Sequence, residues 1–99
     1  MEALPPVSRE ESEGTLRIVR AFRGLTIRQA IGYLESLGGR RVDETTVEGD
    51  HWSARLDAER QAVGPSYRLT TVTIEWTGDP EAVEDVVTAF RLRAFRAPG

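Results

Sequence analysis

The sequence predicts an α+β fold, a two-layer sandwich in which a mostly antiparallel sheet carries two helices on one face. Three observations predict it: several segments alternate apolar and polar residues, two segments have apolar residues at helical spacing, and turn residues separate these segments. The expected order is β-α-β-β-β-α. Two helices with one apolar stripe each cover only one sheet face, so we expect the other face to be open.

The first strand and the first helix have clear sequence signals. Alternation predicts a strand over residues 15–22. Thr26 followed three residues later by Gln29 predicts a capping box at the start of a helix over residues 26–37. Gly38 then supplies the residue type that most readily ends a helix in a left-handed conformation.

Three further strands are expected over residues 41–47, 51–59 and 67–77. The first two flank Gly49, which predicts a hairpin turn around that glycine. In the third strand the phase of the apolar residues changes, which predicts a bulge near residues 70–71.

The last helix is predicted from its first turn, where Asp79 serves as the cap and Pro80 fits the first helical position. The apolar stripe of this helix should cover the sheet together with the first helix. Alternation places Trp52 and Trp76 in the core between the two layers. The side chains expected on the open sheet face are Arg17, Arg55, Asp57, Thr71, Thr73 and Glu75.

The chain length bounds the domain organisation. Ninety-nine residues suffice for one domain with one modest core, which we expect over residues 14–99. Residues 1–13 contain two prolines and four glutamates, so we expect a flexible lead-in there. The sequence has no apolar run long enough for a membrane span and no secretory signal pattern, so we expect a cytoplasmic protein.

The composition excludes several kinds of chemistry. There is no cysteine and no lysine, which excludes thiolate nucleophiles, thiolate metal ligands and Schiff-base chemistry. The single histidine, His51, lies at a predicted turn, and paired acids such as Asp43-Glu44 lie where solvent is expected. We expect no metal site and no cofactor, and a binding domain rather than an enzyme.

The basic residues are all arginines and are unevenly distributed. Residues 14–41 contain six arginines and one glutamate, and residues 86–99 contain three arginines and no acid. A net charge of -3 makes the chain a poor general nucleic-acid binder, but the basic segments would form a local patch if they converged. The candidate partner-binding residues are Arg17, Arg40, Arg41, Arg55, Arg91, Arg93 and Arg96.

Several short motifs resemble one small family. They are residues 21–22 (AF), 33–39 (YLESLGG), 62–67 (AVGPSY) and 72–78 (VTIEWTG), followed by Phe90 and Arg96 in the last helix. Over residues 15–97 the pattern resembles the C-terminal domain of MoaD-related proteins of archaea and Thermus-type bacteria. In two-domain members a ubiquitin-like β-grasp sulfur-carrier domain precedes this domain, and that half is not in the present sequence.

The resemblance implies an α+β domain linked to molybdopterin synthesis or to archaeal ubiquitin-like modifiers. Sulfur carriage in the β-grasp half needs a C-terminal Gly-Gly, whereas the Gly-Gly of this sequence is internal, at residues 38–39, so we expect no sulfur transfer. We expect a non-enzymatic binding domain with a protein partner, such as a sulfur carrier or a cofactor-synthesis protein. Membrane binding is not expected.

Two alternatives stay open on the residues alone. The first is a small ligand-binding domain or enzyme with a pocket of carboxylates and arginines between helices and sheet. The second is nucleic-acid binding through the arginine-rich segments.

Overall fold

One sheet and two helices make up the computed structural model, which describes residues 7–62, 64 and 68–96. The elements are β1 (Val7–Ser12), β2 (Thr15–Arg23), α1 (Ile27–Ser36), β3 (Arg40–Asp43), β4 (Thr46–Gly49), β5 (Trp52–Ala62), β6 (Arg68–Gly78) and α2 (Pro80–Arg96). All neighbouring strands are antiparallel, in the spatial order β1-β2-β6-β5-β4-β3. The predicted fold class and the order of the predicted elements are confirmed.

Both helices lie on one face of the sheet, and each covers a different part of it. Helix α2 packs on β2 and β6, and helix α1 packs on β3, β4 and β5. Between the layers lies the apolar core, in which Trp76 and Phe90 are completely buried and Trp52 is 8% exposed. The prediction that both tryptophans belong to the core is confirmed.

The helix ends follow the local sequence rules. The backbone N–H of Gln29 donates to Thr26 Oγ1 at 3.1 Å, and the backbone N–H of Thr26 donates to Gln29 Oε1 at 3.0 Å, which completes the predicted capping box. After α1, Gly38 has a φ of +99°, as predicted for the residue that ends the helix. At α2, the carboxylate of Asp79 accepts a hydrogen bond from the N–H of Ala82 at 3.2 Å.

The N-terminal segment differs from the prediction. Residues 7–12, which we expected to be part of a flexible lead-in, form strand β1. Every residue of β1 pairs with a residue of β2. Glu13 and Gly14 both have positive φ, of 51° and 81°, and make the tight turn between the two strands. The sequence signal was weak because β1 is an edge strand made mostly of serine and charged residues. Residues 1–6 lie outside the described part of the chain.

The segment expected as one strand over residues 41–47 is two short strands, β3 and β4, joined by a turn at Glu44 and Thr45. The carboxylate of Asp43 accepts a hydrogen bond from the backbone N–H of Thr45 at 2.9 Å, which stabilises this turn. That hydrogen bond, followed by one from the side chain of Thr46, lowers the pKa of Asp43 below the usual value.

The next hairpin, between β4 and β5, is present, but it turns at Asp50 and His51 rather than around Gly49. His51 is exposed and has a φ of +70°. Gly49 is required for a different reason, because a Cβ at this position would lie 2.0 Å from Cε2 of Trp52. The close approach of the indole to the backbone therefore fixes a glycine at this end of the sheet.

The two longest strands pair without interruption. The pairing of β5 with β6 keeps one register from Trp52↔Gly78 to Ala62↔Arg68. The prediction of a bulge near residues 70–71 is therefore wrong.

Candidate functional site

An open cleft of about 570 Å³ lies where the end of β2, helix α1 and the C-terminal part of α2 meet. We call it the arginine cleft. The residues that line it are Arg20, Ala21, Phe22, Arg23, Gly24, Leu25, Gln29, Tyr33, Arg91, Ala94 and Phe95.

The turn after β2 brings these elements together. Gly24 has a φ of +79°, and its N–H donates to the carbonyl of Thr70 at 2.8 Å, so the chain leaves the sheet at this point. Leu25 then inserts into the core, and Thr26 starts α1. This sharp change of direction places Tyr33 of α1 beside the end of β2.

In the described part of the chain, the charged residues that line the arginine cleft are all basic. They are Arg20, Arg23 and Arg91, and none of the other described lining residues is acidic. Nε of Arg20 is buried and has no hydrogen-bond acceptor within residues 7–62, 64 and 68–96. A buried donor without an acceptor is costly, and a guanidinium does not relieve the cost by losing its proton.

Aromatic rings form the rest of the wall. Phe22 and Tyr33 both pack edge to face against the buried ring of Phe90, with centroid distances of 5.0 and 5.8 Å. Phe95 lies at the rim with 71% of its surface exposed, and Cζ of Arg91 is 5.7 Å from the centroid of its ring. The cleft therefore has two rings anchored to the core and one exposed ring beside a guanidinium.

The arginines on the open sheet face have different surroundings. The carboxylate of Glu75 on β6 contacts Nε of Arg17 on β2, and its other oxygen lies 3.0 Å from Nη2 of Arg55 on β5. A longer contact of 3.5 Å joins Arg17 to Glu10 on β1. The hydrogen bond to Glu75 raises the pKa of Arg17 above its ordinary value. These charges compensate one another across four strands.

The arginines predicted from the sequence as partner-binding residues do not lie together. Arg17 and Arg55 are on the open sheet face, and Arg91 is in the arginine cleft. Arg40 and Arg41 are exposed on the edge strand β3, where Nε of Arg41 donates to the carbonyl of Asp43 at 3.0 Å. The remaining two are on α2: Arg93 is exposed outside the cleft, and Arg96 is its last residue.

The sequence analysis missed Arg20, Arg23 and the three aromatic residues of the cleft. One signal was available for Arg20. It alternates in phase with Leu16, Ile18 and Phe22, and it pairs with Ile74, so it lies on the core-facing side of β2. A charged residue in phase with a core stripe near a strand end marks a place where the core opens to solvent.

Two other depressions differ from the arginine cleft in charge. The one between α1 and β3, of about 490 Å³, is lined by Arg28, Glu35, Arg41 and Glu44, which are all exposed and include both signs. The one beside Trp52, of about 340 Å³, has two aspartates and no arginine. The arginine cleft differs from both because its charged lining residues are all arginines.

Neither described helix is both long and apolar enough to cross a membrane. Among the residues that the structure describes, no three histidine or carboxylate side chains lie close enough together to hold a metal ion.

Comparison with known proteins establishes the relationship of this chain. The family described as archaeal MoaD-like protein matches residues 18–99, which include every residue of the arginine cleft. The chain belongs to this family. The resemblance inferred from the short motifs is confirmed. No curated protein matches the chain.

Proposed function

We propose that this chain is a non-enzymatic binding domain that holds an anionic ligand in the arginine cleft. The proposal rests on three arginines from two elements that share one cleft with no acidic residue in its lining. Guanidinium groups bind phosphates and carboxylates through paired, charge-assisted hydrogen bonds.

The lining side chains support binding rather than catalysis. Among the described residues, the lining includes no carboxylate, histidine, serine or threonine, the residue types that most often serve as general bases or nucleophiles. An arginine keeps its proton throughout the physiological pH range, so it stabilises an anion without exchanging protons with it. The cleft is thus suited to hold a ligand unchanged.

Membership in a MoaD-like family supports a role beside molybdopterin synthesis or ubiquitin-like sulfur carriers, and a protein partner from that setting is part of the proposal. Arg17 and Arg55 already contact Glu75. Exposed arginines elsewhere are therefore better placed to contact such a partner. We assign this role to Arg40, Arg41 and Arg93.

Titration of the protein with pyrophosphate at low ionic strength tests the anion-binding proposal, with amide chemical shifts as the readout. We expect the largest shifts between Arg20 and Leu25. Arg91→Gln should weaken binding about tenfold, since it removes one charge-assisted contact. Arg93→Gln is the matched control on the same helix and should bind as the unmodified protein does. Equal weakening by the two variants, or no shifts at all, would contradict the proposal.

Titration with a ubiquitin-like sulfur-carrier protein tests the partner assignment separately. Shifts should appear on β3 and around Arg93, and Arg40→Gln combined with Arg41→Gln should reduce them. Shifts confined to the open sheet face would contradict the assignment of these arginines.

A further inference from the structure

The arginine cleft is larger than an inorganic anion requires. Its volume of about 570 Å³ lies within the roughly 300–1,000 Å³ typical of sites for small organic molecules. An inorganic anion would contact the arginines and leave the aromatic part of the wall unused. The size of the cleft therefore leaves room for a ligand with a body beside its charged group.

The aromatic part of the wall indicates what that body is. Phe95 is more exposed than the other large apolar residues that are exposed in the described chain, Val42 and Leu92. Its ring stands beside the guanidinium of Arg91, and both ring faces and guanidinium planes stack on flat heteroaromatic groups. A heteroaromatic ring joined to an anionic group could contact both the ring of Phe95 and the guanidinium of Arg91.

The remaining rings are already fixed before a ligand arrives. Phe22 and Tyr33 each pack against Phe90, which is completely buried. A wall held by the core loses little conformational freedom on binding, so more of the contact energy appears as affinity. This favours a small rigid ligand.

We propose that the ligand of the arginine cleft is a phosphorylated aromatic heterocycle of nucleoside monophosphate size. Its phosphate contacts Arg20 and Arg91, and its ring packs against Phe95. This inference rests on the proposed function, the binding of an anion in the same cleft.

A polynucleotide fits the observations less well. Tight binding to a nucleic-acid backbone needs several phosphate contacts along a continuous basic surface. Here Arg17 and Arg55 are compensated by Glu75, and the exposed pair Arg40 and Arg41 lies on β3, which α1 separates from the cleft. The arginines of the cleft thus form a basic site of small-molecule size that is not continuous with the other exposed arginines.

Three probes separate the contributions of ring and phosphate: AMP, ribose 5-phosphate, which lacks the ring, and adenosine, which lacks the phosphate. Calorimetric titrations should show AMP binding at least about fivefold more tightly than either of the others. If ribose 5-phosphate binds as tightly as AMP, the ring assignment is wrong and the anion-binding function stands. If AMP, ribose 5-phosphate and pyrophosphate all fail to bind, both the ring assignment and the anion-binding function are wrong.

A pair of variants on α2 tests the position of the ring. Phe95→Leu should weaken AMP about fivefold and leave ribose 5-phosphate unchanged, because only the ring contact is lost. Leu92→Ala is the matched control, since Leu92 is 56% exposed and does not line the cleft. Equal weakening of both ligands by Phe95→Leu, or the same loss of AMP affinity in Leu92→Ala, would overturn the assignment. A single-stranded oligonucleotide that binds more tightly than AMP would overturn it in favour of nucleic acid.

Discussion

The arginines of the open sheet face and those of the arginine cleft differ in one respect, the presence of a carboxylate. On the sheet face Arg17 and Arg55 share the carboxylate of Glu75. In the cleft, Arg20, Arg23 and Arg91 share the lining with aromatic residues, and none of the described lining residues is acidic. The same residue type thus occurs in two settings: the arginines of the sheet face contact a carboxylate on a neighbouring strand, and those of the cleft are the ones that the proposed function assigns to a ligand.

Glu75 is the centre of the compensated region. It is 14% exposed by side chain and lies on β6, between the strands that carry Arg17 and Arg55. Isolated pairs on a surface contribute little to stability, but a half-buried carboxylate with two guanidinium partners is better shielded from water. Loss of charge should therefore lower the stability of the protein when it affects Glu75, and it should weaken anion binding when it affects the arginine cleft.

The largest expected effect is that of Glu75→Gln, which should lower the free energy of unfolding by about 2 kcal/mol because two guanidinium groups lose their charged acceptor. Urea denaturation measures the change. Glu48→Gln is the matched control, since Glu48 is exposed on a nearby strand of the same sheet, and it should change stability by less than about 0.5 kcal/mol. Binding of pyrophosphate should survive Glu75→Gln. Its loss would mean that the two regions are not independent.

We expect Gly32→Ala to stabilise the protein. Variants of the two regions could then be compared in a protein that tolerates a larger loss of stability. Gly32 lies inside α1, but the residue is exposed, and a Cβ there would meet no atom within 4 Å. Alanine in a helix interior is favoured over glycine by about 1 kcal/mol, so the midpoint of urea denaturation should rise. An unchanged or lower midpoint would show that the helix needs glycine for a reason absent from its surroundings.

A smaller effect is expected in the arginine cleft. The double variant Arg23→Gln with Arg91→Gln should keep the free energy of unfolding within about 0.5 kcal/mol of the unmodified protein while it loses pyrophosphate binding, because neither side chain contacts a carboxylate in the described chain. Denaturation and titration of the same sample give both quantities. A loss of about 2 kcal/mol in the free energy of unfolding would mean that these arginines stabilise the fold, as Arg17 does through its contact with Glu75.

The smallest effect concerns Asp43, a carboxylate held by the backbone and a threonine hydroxyl rather than by arginines. Its pKa is lowered, so the stability that it contributes is present above the usual aspartate value of 3.8 and is lost as the pH falls through the lower, folded value. Carboxyl carbon NMR should give a midpoint below 3.8, and Thr46→Val should raise it. A midpoint at or above 3.8 would contradict this account of the β3–β4 turn.

Local features of the fold were predictable from the sequence. The capping box at Thr26, the left-handed Gly38 and the cap at Asp79 each depend on residues a few positions apart, and all three are present. Strand β1 was not predictable in this way. Its place depends on pairing with β2 and on contacts such as that between Arg9 and Glu84 of α2, which are remote in sequence.

The site was predictable only in part, for the same reason. Arg91 was among the candidate residues, but a count of arginines does not distinguish Arg17, which meets Glu75, from Arg20, which has no described acceptor for Nε. The two alternate on one strand and lie on opposite faces of the sheet. Whether a carboxylate is near each of them is decided by β5, β6 and α2, which follow much later in the chain.

The most direct test of the central claim observes the two kinds of arginine in one experiment. In a titration with AMP, the side-chain Nε–H signals of Arg20 and Arg17 are followed by nitrogen-15 NMR. The account predicts that the signal of Arg20 shifts as its guanidinium binds the phosphate, while that of Arg17, already bound to Glu75, stays in place. A shift of Arg17 with an unchanged Arg20 would contradict the division between compensated and available arginines.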